Sequence, residues 1–144
     1  MSAAERRRKI LDEIAAAAKL ARREAAEVQL IAVSKTRSAE QIEELISAGQ
    51  RDFGESRVQE ALEKWPSLLA RHPGVRLHCI GRLQSNKAAE AVRLFDVIHS
   101  VDRPSLLDAL AKEAVKEARF PAVFPSANGA AKPPVGVRAD RRLR

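Results

Sequence analysis

Residues 28–49 read VQLIAVSKTRSAEQIEELISAG and contain a complete strand–loop–helix unit. The opening run, residues 28–33, is short, largely apolar and rich in β-branched residues, a pattern that predicts a buried strand. Ser38 and Gln41 have the spacing of a capping box, and the apolar periodicity after them predicts a helix. Gly49 is the expected end of this helix, because glycine readily adopts the left-handed backbone that closes a helix.

The same unit recurs along the chain, behind an extra N-terminal helix. That helix opens at the capping-box pair Ser2 and Glu5 and should end near residues 25–26. Pro66 should interrupt the third helix, because proline lacks the N–H that a helix interior needs. Alternating strands and helices build a parallel sheet covered by helices, so we predict an α/β fold with four to five parallel strands. The further strands are predicted in 51–54, 75–80, 97–100 and 120–124.

Composition and charge narrow the classes of function. The 144 residues have no apolar run of membrane-spanning length and no signal-peptide pattern, and the single cysteine, Cys79, allows no intramolecular disulfide. A cytoplasmic protein without membrane contact is therefore expected. The net charge of +7 is concentrated in residues 119–144, which hold six of the 26 Lys and Arg residues and one of the 19 acids. With 3% aromatic residues and no tyrosine, the chain is not expected to bind nucleic acid.

The final 20 residues differ in character from the rest. Residues 125–144 combine Pro, Gly and basic residues without an apolar period, so burial cannot offset the entropy cost of ordering them. We predict one domain over 1–124 and a disordered basic tail over 125–144. Residues 126–129, SANG, are a weak candidate for a phosphate-binding turn.

Polar residues follow the predicted strands, at the edge where parallel sheets bind their ligands. Lys35 comes directly after the first strand, where a partly dry pocket would favour a nucleophilic amine able to form a Schiff base with an aldehyde. The alternative is a solvated lysine whose stem covers the sheet. Ser56 has a glutamine three residues later and is equally compatible with a helix cap. His78 and His99 are expected to be buried strand residues rather than catalysts or metal ligands.

Four motifs in register resemble the pyridoxal phosphate homeostasis protein family over roughly residues 5–124. The motifs are IAVSKT at 31–36, AGQRDFGESRVQEALEKW at 48–65, HCIGRLQSNKA at 78–88 and FDVIHSVDR at 95–103. The resemblance implies an alanine-racemase-like (β/α)8 barrel, also called fold type III, of which this chain would be the N-terminal part. It also implies that the protein binds pyridoxal 5′-phosphate, buffers and delivers this cofactor, and has no turnover reaction of its own.

The resemblance assigns the cofactor site to specific residues. Lys35 would carry the Schiff base, and Ser56 stands where family members usually have Asn, which puts a direct contact with the cofactor ring in doubt. Arg82 replaces the more usual His or Pro. The other residues that would surround the cofactor are Gly81, Leu83, Gln84, Ser85, Asn86 and Ser100.

A complete barrel of this type needs about 250 residues. The family's later motifs, which bind the phosphate, are not found in the sequence, so weak cofactor binding is expected. The tail could arise from a frameshift, and a partial barrel would expose sheet edges and self-associate. The alternatives are a non-functional fragment, a racemase- or decarboxylase-like enzyme of the same fold type, and an anionic-surface binder that uses the tail. The enzyme is disfavoured because the chain has no tyrosine and no second domain.

Overall fold

One sheet of six strands forms the centre of the fold, and the strands follow one another in chain order. This computed structural model describes residues 1–125 and 141–142. The first five strands are parallel to one another, which confirms the predicted parallel α/β arrangement. The sixth strand is antiparallel to the fifth. The strands are β1 (Ala32–Val33), β2 (Asp52–Glu55), β3 (Arg76–Cys79), β4 (Val97–Val101), β5 (Ala122–Pro125) and β6 (Arg141–Arg142).

Five α-helices connect or precede these strands. Their bounds are α1 (Ala3–Leu20), α2 (Ala39–Ser47), α3 (Val58–Arg71), α4 (Ala88–Leu94) and α5 (Pro104–Glu117), and short 3₁₀ turns lie at Ala25–Glu27 and Ser85–Lys87. Both predicted capping boxes form, at the start of α1 and at the start of α2. Gly49 follows α2 with a φ of 104°, which confirms it as the residue that closes this helix. Among the described residues, no helix is both long and apolar enough to cross a membrane.

The core lies between the sheet and helices α2 to α5, on what we call the outer face of the sheet. Alternate strand residues such as Phe53, Leu77 and Ile98 are completely buried there. Trp65 of α3 is also fully buried and packs its ring 5.3 Å from that of Phe53. The opposite, inner face carries the remaining alternate residues, such as Asp52, His78 and His99.

Helix α3 passes through Pro66, so the predicted interruption at this residue is wrong. Pro66 itself is exposed, whereas Trp65 and Leu68 on either side of it are completely buried. A proline in a helix interior costs about 3 kcal/mol or more, and the burial of these two large side chains offsets that cost.

The N-terminal part of the domain departs most from the sequence prediction. α1 ends at Leu20 rather than near residues 25–26, and only Ala18 in this helix is buried. Ile10 and Leu20 remain 43% and 88% exposed, so the apolar side chains of this helix are only partly covered. The predicted buried strand over 28–33 is reduced to two residues, of which Val33 is 51% exposed. β1 pairs with β2 on one side and forms the edge of the sheet, which explains its exposure.

The predicted tail falls largely outside the described residues. Positions 126–140 and 143–144, including the SANG segment, are not among them. Pro125 belongs to β5, and residues 141–142 form the antiparallel strand β6, which the sequence did not predict.

Candidate functional site

Lys35 lies in the tight turn between β1 and α2, at the carboxyl edge of the sheet. Its side chain is exposed, so the partly dry pocket expected from the sequence is not present among the described residues. The next residue, Thr36, has a φ of 63°, in the left-handed region that β-branched residues rarely adopt. The backbone beside the lysine is therefore strained and needs neighbouring groups to hold it.

A buried carboxylate lies beneath this turn. Glu55, the last residue of β2, is completely buried. Its Oε2 accepts hydrogen bonds from the Ser34 hydroxyl at 2.5 Å and from the Trp65 indole N–H at 3.0 Å. The Lys64 ammonium approaches the same oxygen to 3.0 Å and gives the carboxylate its counter-charge. Ser34 also bonds Gly54, so the residue before Lys35 is tied to β2 by both its backbone and its side chain.

Lys64 also holds the backbone on both sides of Lys35. Its Nζ donates to the carbonyl of Ser34 at 2.8 Å and to that of Arg37 at 3.1 Å. Glu60, one helical turn before Lys64, accepts from the Thr36 N–H at 2.6 Å and pairs with the Lys64 ammonium at 3.1 Å. The hydrogen bond from Thr36 holds the pKa of Glu60 below its usual value; slight burial opposes this, and the Lys64 charge adds to it.

We call Glu55, Glu60 and Lys64 the anchor group. Sequence reasoning missed all three as functional residues. The available signal was the i, i+4 spacing of Glu60 and Lys64, which is normally typical of a solvent-exposed helix pair. Only the fold reveals that this pair reaches the turn of Lys35.

Ser56 and Gly81 bring the loops after β2 and β3 into contact. A Cβ added to Gly81 would lie 2.2 Å from the backbone oxygen of Ser56, so only glycine permits this approach. Ser56 is not the cap of α3, because Arg57 occupies that position and no side-chain cap is formed. The predicted alternative role for Ser56 is therefore wrong.

The loop after β3, which is the third of the four strand-end loops, is held in place by Arg103. Gln84, Ser85 and Asn86 are exposed, whereas Leu83 is buried in the core. Arg103 donates to the Leu83 carbonyl at 2.8 Å and lies 3.4 Å from the Ser85 hydroxyl. These contacts surround an open cavity of about 430 Å³, lined by Arg82, Leu83, Gln84, Ser85 and Arg103.

The fourth predicted strand end, after β4, is partly buried. Ser100 lies half-buried in β4, two residues before Asp102. Arg103 lowers the pKa of Asp102 through a hydrogen bond and its charge. The structure thus places the predicted residues in three groups: Lys35 on its anchored turn, Ser56 against Gly81, and the loop that Arg103 holds beside β4.

A chain of polar contacts crosses the inner face of the sheet. Asp52 Oδ1 lies 2.9 Å from His78 Nε2, and His78 Nδ1 lies 2.9 Å from His99 Nε2. The ring of His99 stacks on Phe124, with centroids 5.1 Å apart. His78 is 2% exposed and His99 is half-buried, as expected for strand histidines.

These contacts change how two of the groups titrate. Burial lowers the pKa of His99, and the neighbouring His78 lowers it further. Burial raises the pKa of Asp52, but hydrogen bonds from His78 and other neighbours outweigh this and leave it below its usual value. No group of three or more His, Cys, Asp or Glu side chains in the described part of the chain could hold a metal ion.

The sequence profile of the alanine racemase N-terminal domain matches residues 10–124. The chain belongs to this family. Among curated relatives, the pyridoxal phosphate homeostasis protein of Synechocystis is 49% identical over 92 residues, which cover 62% of this chain and 42% of that protein. The Escherichia coli protein of the same name is 44% identical over 100 residues, covering 65% and 41%. This chain therefore spans less than half the length of these relatives.

Solved structures support the same assignment. PipY of Synechococcus elongatus with PLP bound matches with a TM-score of 0.66 and 45% identity, covering 78% of this chain and 52% of PipY. A protein from Bifidobacterium adolescentis matches with a TM-score of 0.75 and 36% identity, covering 81% and 51%. These likenesses confirm the predicted family resemblance and the predicted barrel-type α/β fold.

Proposed function

We propose that this chain binds pyridoxal 5′-phosphate through Lys35 and takes part in the homeostasis of that cofactor. The observation that carries the proposal is the position of Lys35: an exposed primary amine on a turn that buried groups fix at the carboxyl edge of the sheet. Relatives named for pyridoxal phosphate homeostasis, and a PipY structure with PLP bound at 45% identity, support it.

The residues of this edge suit such a cofactor in their chemistry. When bound, the cofactor supplies an aldehyde that condenses with a lysine amine. Lys35 is open to it from solvent, and Gln84, Ser85 and Asn86 offer exposed hydroxyl and amide groups at the same edge. Ser56 and Ser100 would add hydroxyl groups, and Leu83 would support the third loop from the core.

The proposal includes the absence of a turnover reaction. Fold-type III enzymes use an acid–base residue such as a tyrosine opposite the lysine, and this chain contains no tyrosine. Incubating the cofactor-loaded protein with single amino acids would test this point. Racemisation or decarboxylation above the rate of free cofactor, and lost in Lys35→Ala, would refute it.

Visible spectroscopy with added pyridoxal 5′-phosphate tests the binding site. The purified protein should show a red-shifted band relative to the free aldehyde, and borohydride should fix the cofactor to the peptide that contains Lys35. Lys35→Ala should abolish both signals. Lys112→Ala, which removes an exposed lysine of α5, should retain both. A band that persists in Lys35→Ala, or a label on another lysine, would refute the site.

We further propose self-association through the edge at β1. Val33 is 51% exposed on this edge strand, and strand edges readily pair with other chains. Sedimentation should show a mass that rises with concentration, and Val33→Lys should reduce it. Val115→Lys, at a residue of α5 that is 67% exposed, is the matched control and should have no effect. A monomer at all concentrations contradicts this part.

The proposal also places the protein in the cytoplasm. This rests on the single cysteine, Cys79, which is free and buried, whereas proteins of oxidising compartments commonly carry disulfides. Cell fractionation with an antibody to the chain would test it, and recovery of the protein outside the cytoplasm would contradict it.

A further inference from the structure

We propose that Lys64 is a positioning residue for Lys35, acting with Glu60 and Glu55 to hold the lysine turn in a conformation that it would not keep alone. This inference rests on the proposed function, because positioning matters only if Lys35 receives the cofactor. Lys64 itself lies on α3 and is separated from Lys35 by 29 positions in the sequence.

The contacts of Lys64 are unusual for a helix lysine. Its side chain is only 11% exposed, and the ammonium has acceptors from three parts of the chain. Two are the backbone carbonyls of Ser34 and Arg37, which bracket the turn, and two are the carboxylates of Glu55 and Glu60. An ammonium has three donors, so these four acceptors use all of its capacity.

The turn needs this support because of its backbone. Thr36 has a φ of 63°, and a β-branched residue in this region is sterically disfavoured. Glu60 accepts from the Thr36 N–H and so fixes the peptide group that joins Lys35 to Thr36. Lys64 orients Glu60 and at the same time holds the carbonyls on both sides of the turn. Without these bonds, the strained conformation should relax, and the backbone from which the Lys35 side chain extends should no longer be held in one position.

Hydrogen exchange of the cofactor-free protein gives the first readout. In Lys64→Met, the amide of Thr36 should exchange at least roughly tenfold faster, while amides of β3 and β4 keep their protection. Glu60→Ala should have the same local effect and is the second variant if Lys64→Met does not fold. Glu63→Ala, at an exposed residue of the same helix, is the control. Unchanged exchange at Thr36 would overturn the proposal.

Cofactor capture gives the second readout. The fraction of Lys35 fixed by borohydride at a limiting concentration of pyridoxal 5′-phosphate should fall by about tenfold in Lys64→Met, which corresponds to ~1.4 kcal/mol. Adding Thr36→Gly should restore part of this loss, because glycine adopts a positive φ without strain. Loss of helix packing alone would not be repaired by a change at Thr36, so a double variant no better than Lys64→Met would refute the positioning role.

The two proposals fail in different ways. If the unaltered protein captures no cofactor at Lys35, the proposed function is wrong, and the inference that depends on it falls with it. If the unaltered protein captures cofactor and Lys64→Met captures as much, only the positioning role is refuted.

Discussion

Replacing Glu55 with alanine should destabilise the domain severely. The carboxylate is completely buried and accepts from Ser34, Trp65 and Lys64 through one oxygen. Removing one partner of a buried ion pair costs about 3–5 kcal/mol, and a buried donor left without an acceptor costs about 1–3 kcal/mol. Lys64 would keep its other acceptors, so we expect a loss of about 3–4 kcal/mol. Domains of this kind are stable by about 5–15 kcal/mol in total, so the variant would be marginal.

Urea unfolding is the appropriate assay, because Trp65 is the only tryptophan and lies at the site of the change. Far-UV circular dichroism should give the same midpoint as fluorescence if unfolding is two-state. Glu63→Ala, at an exposed residue of α3, the helix that carries Trp65, should change stability by no more than about 0.5 kcal/mol. The energetic role assigned to this carboxylate would be refuted if Glu55→Ala lost less than about 1 kcal/mol of unfolding free energy. This holds if the m-value, the slope of that free energy against urea concentration, is unchanged.

Three further predictions concern other parts of the domain. Gly81→Ala places a Cβ 2.2 Å from a backbone oxygen of the preceding loop, so urea unfolding should show a loss of about 1–3 kcal/mol, whereas Gly74→Ala meets no atom within 4 Å and should be tolerated. Burial raises the pKa of the Cys79 thiol to about 11, so a thiol reagent at pH 8 should label it only after urea is added; rapid labelling of the native protein would contradict this. Burial lowers the pKa of His99 in the folded state, so the unfolded chain binds more protons and stability should fall as the pH drops below about 6.5. His99→Phe should reduce the difference between urea midpoints at pH 7.5 and 5.5, and an unaltered difference would contradict the assignment.

Local signals in the sequence were sufficient for most of the fold. The capping pairs at Ser2 and Ser38 and the closing Gly49 form as predicted, because each depends on residues within one helical turn. The predictions failed where tertiary context overrides local preference. Pro66 is tolerated inside α3 because large neighbours are buried, and the strand over 28–33 is shortened because it lies at a sheet edge.

The candidate site was predictable only in part. Lys35 could be identified because it directly follows an apolar strand and belongs to a motif of consecutive residues. The anchor group could not, because it joins the turn after β1 to the end of β2 and to the surface of α3. The close approach of Gly81 to Ser56 is likewise a property of two loops that are distant in sequence.

The attachment of α1 has a consequence for how the molecule opens. A single guanidinium, that of Arg7, donates to the side chain of Gln50 and to the backbone carbonyls of Ala48 and Gly49 just beyond α2. Ala18 is the only residue of the helix that is buried. Regions with few buried apolar contacts unfold locally at low free energy. The N-terminal helix should therefore detach and return as a unit while the strands stay paired, so that, of the five helices described, it should be the first to become accessible to proteases.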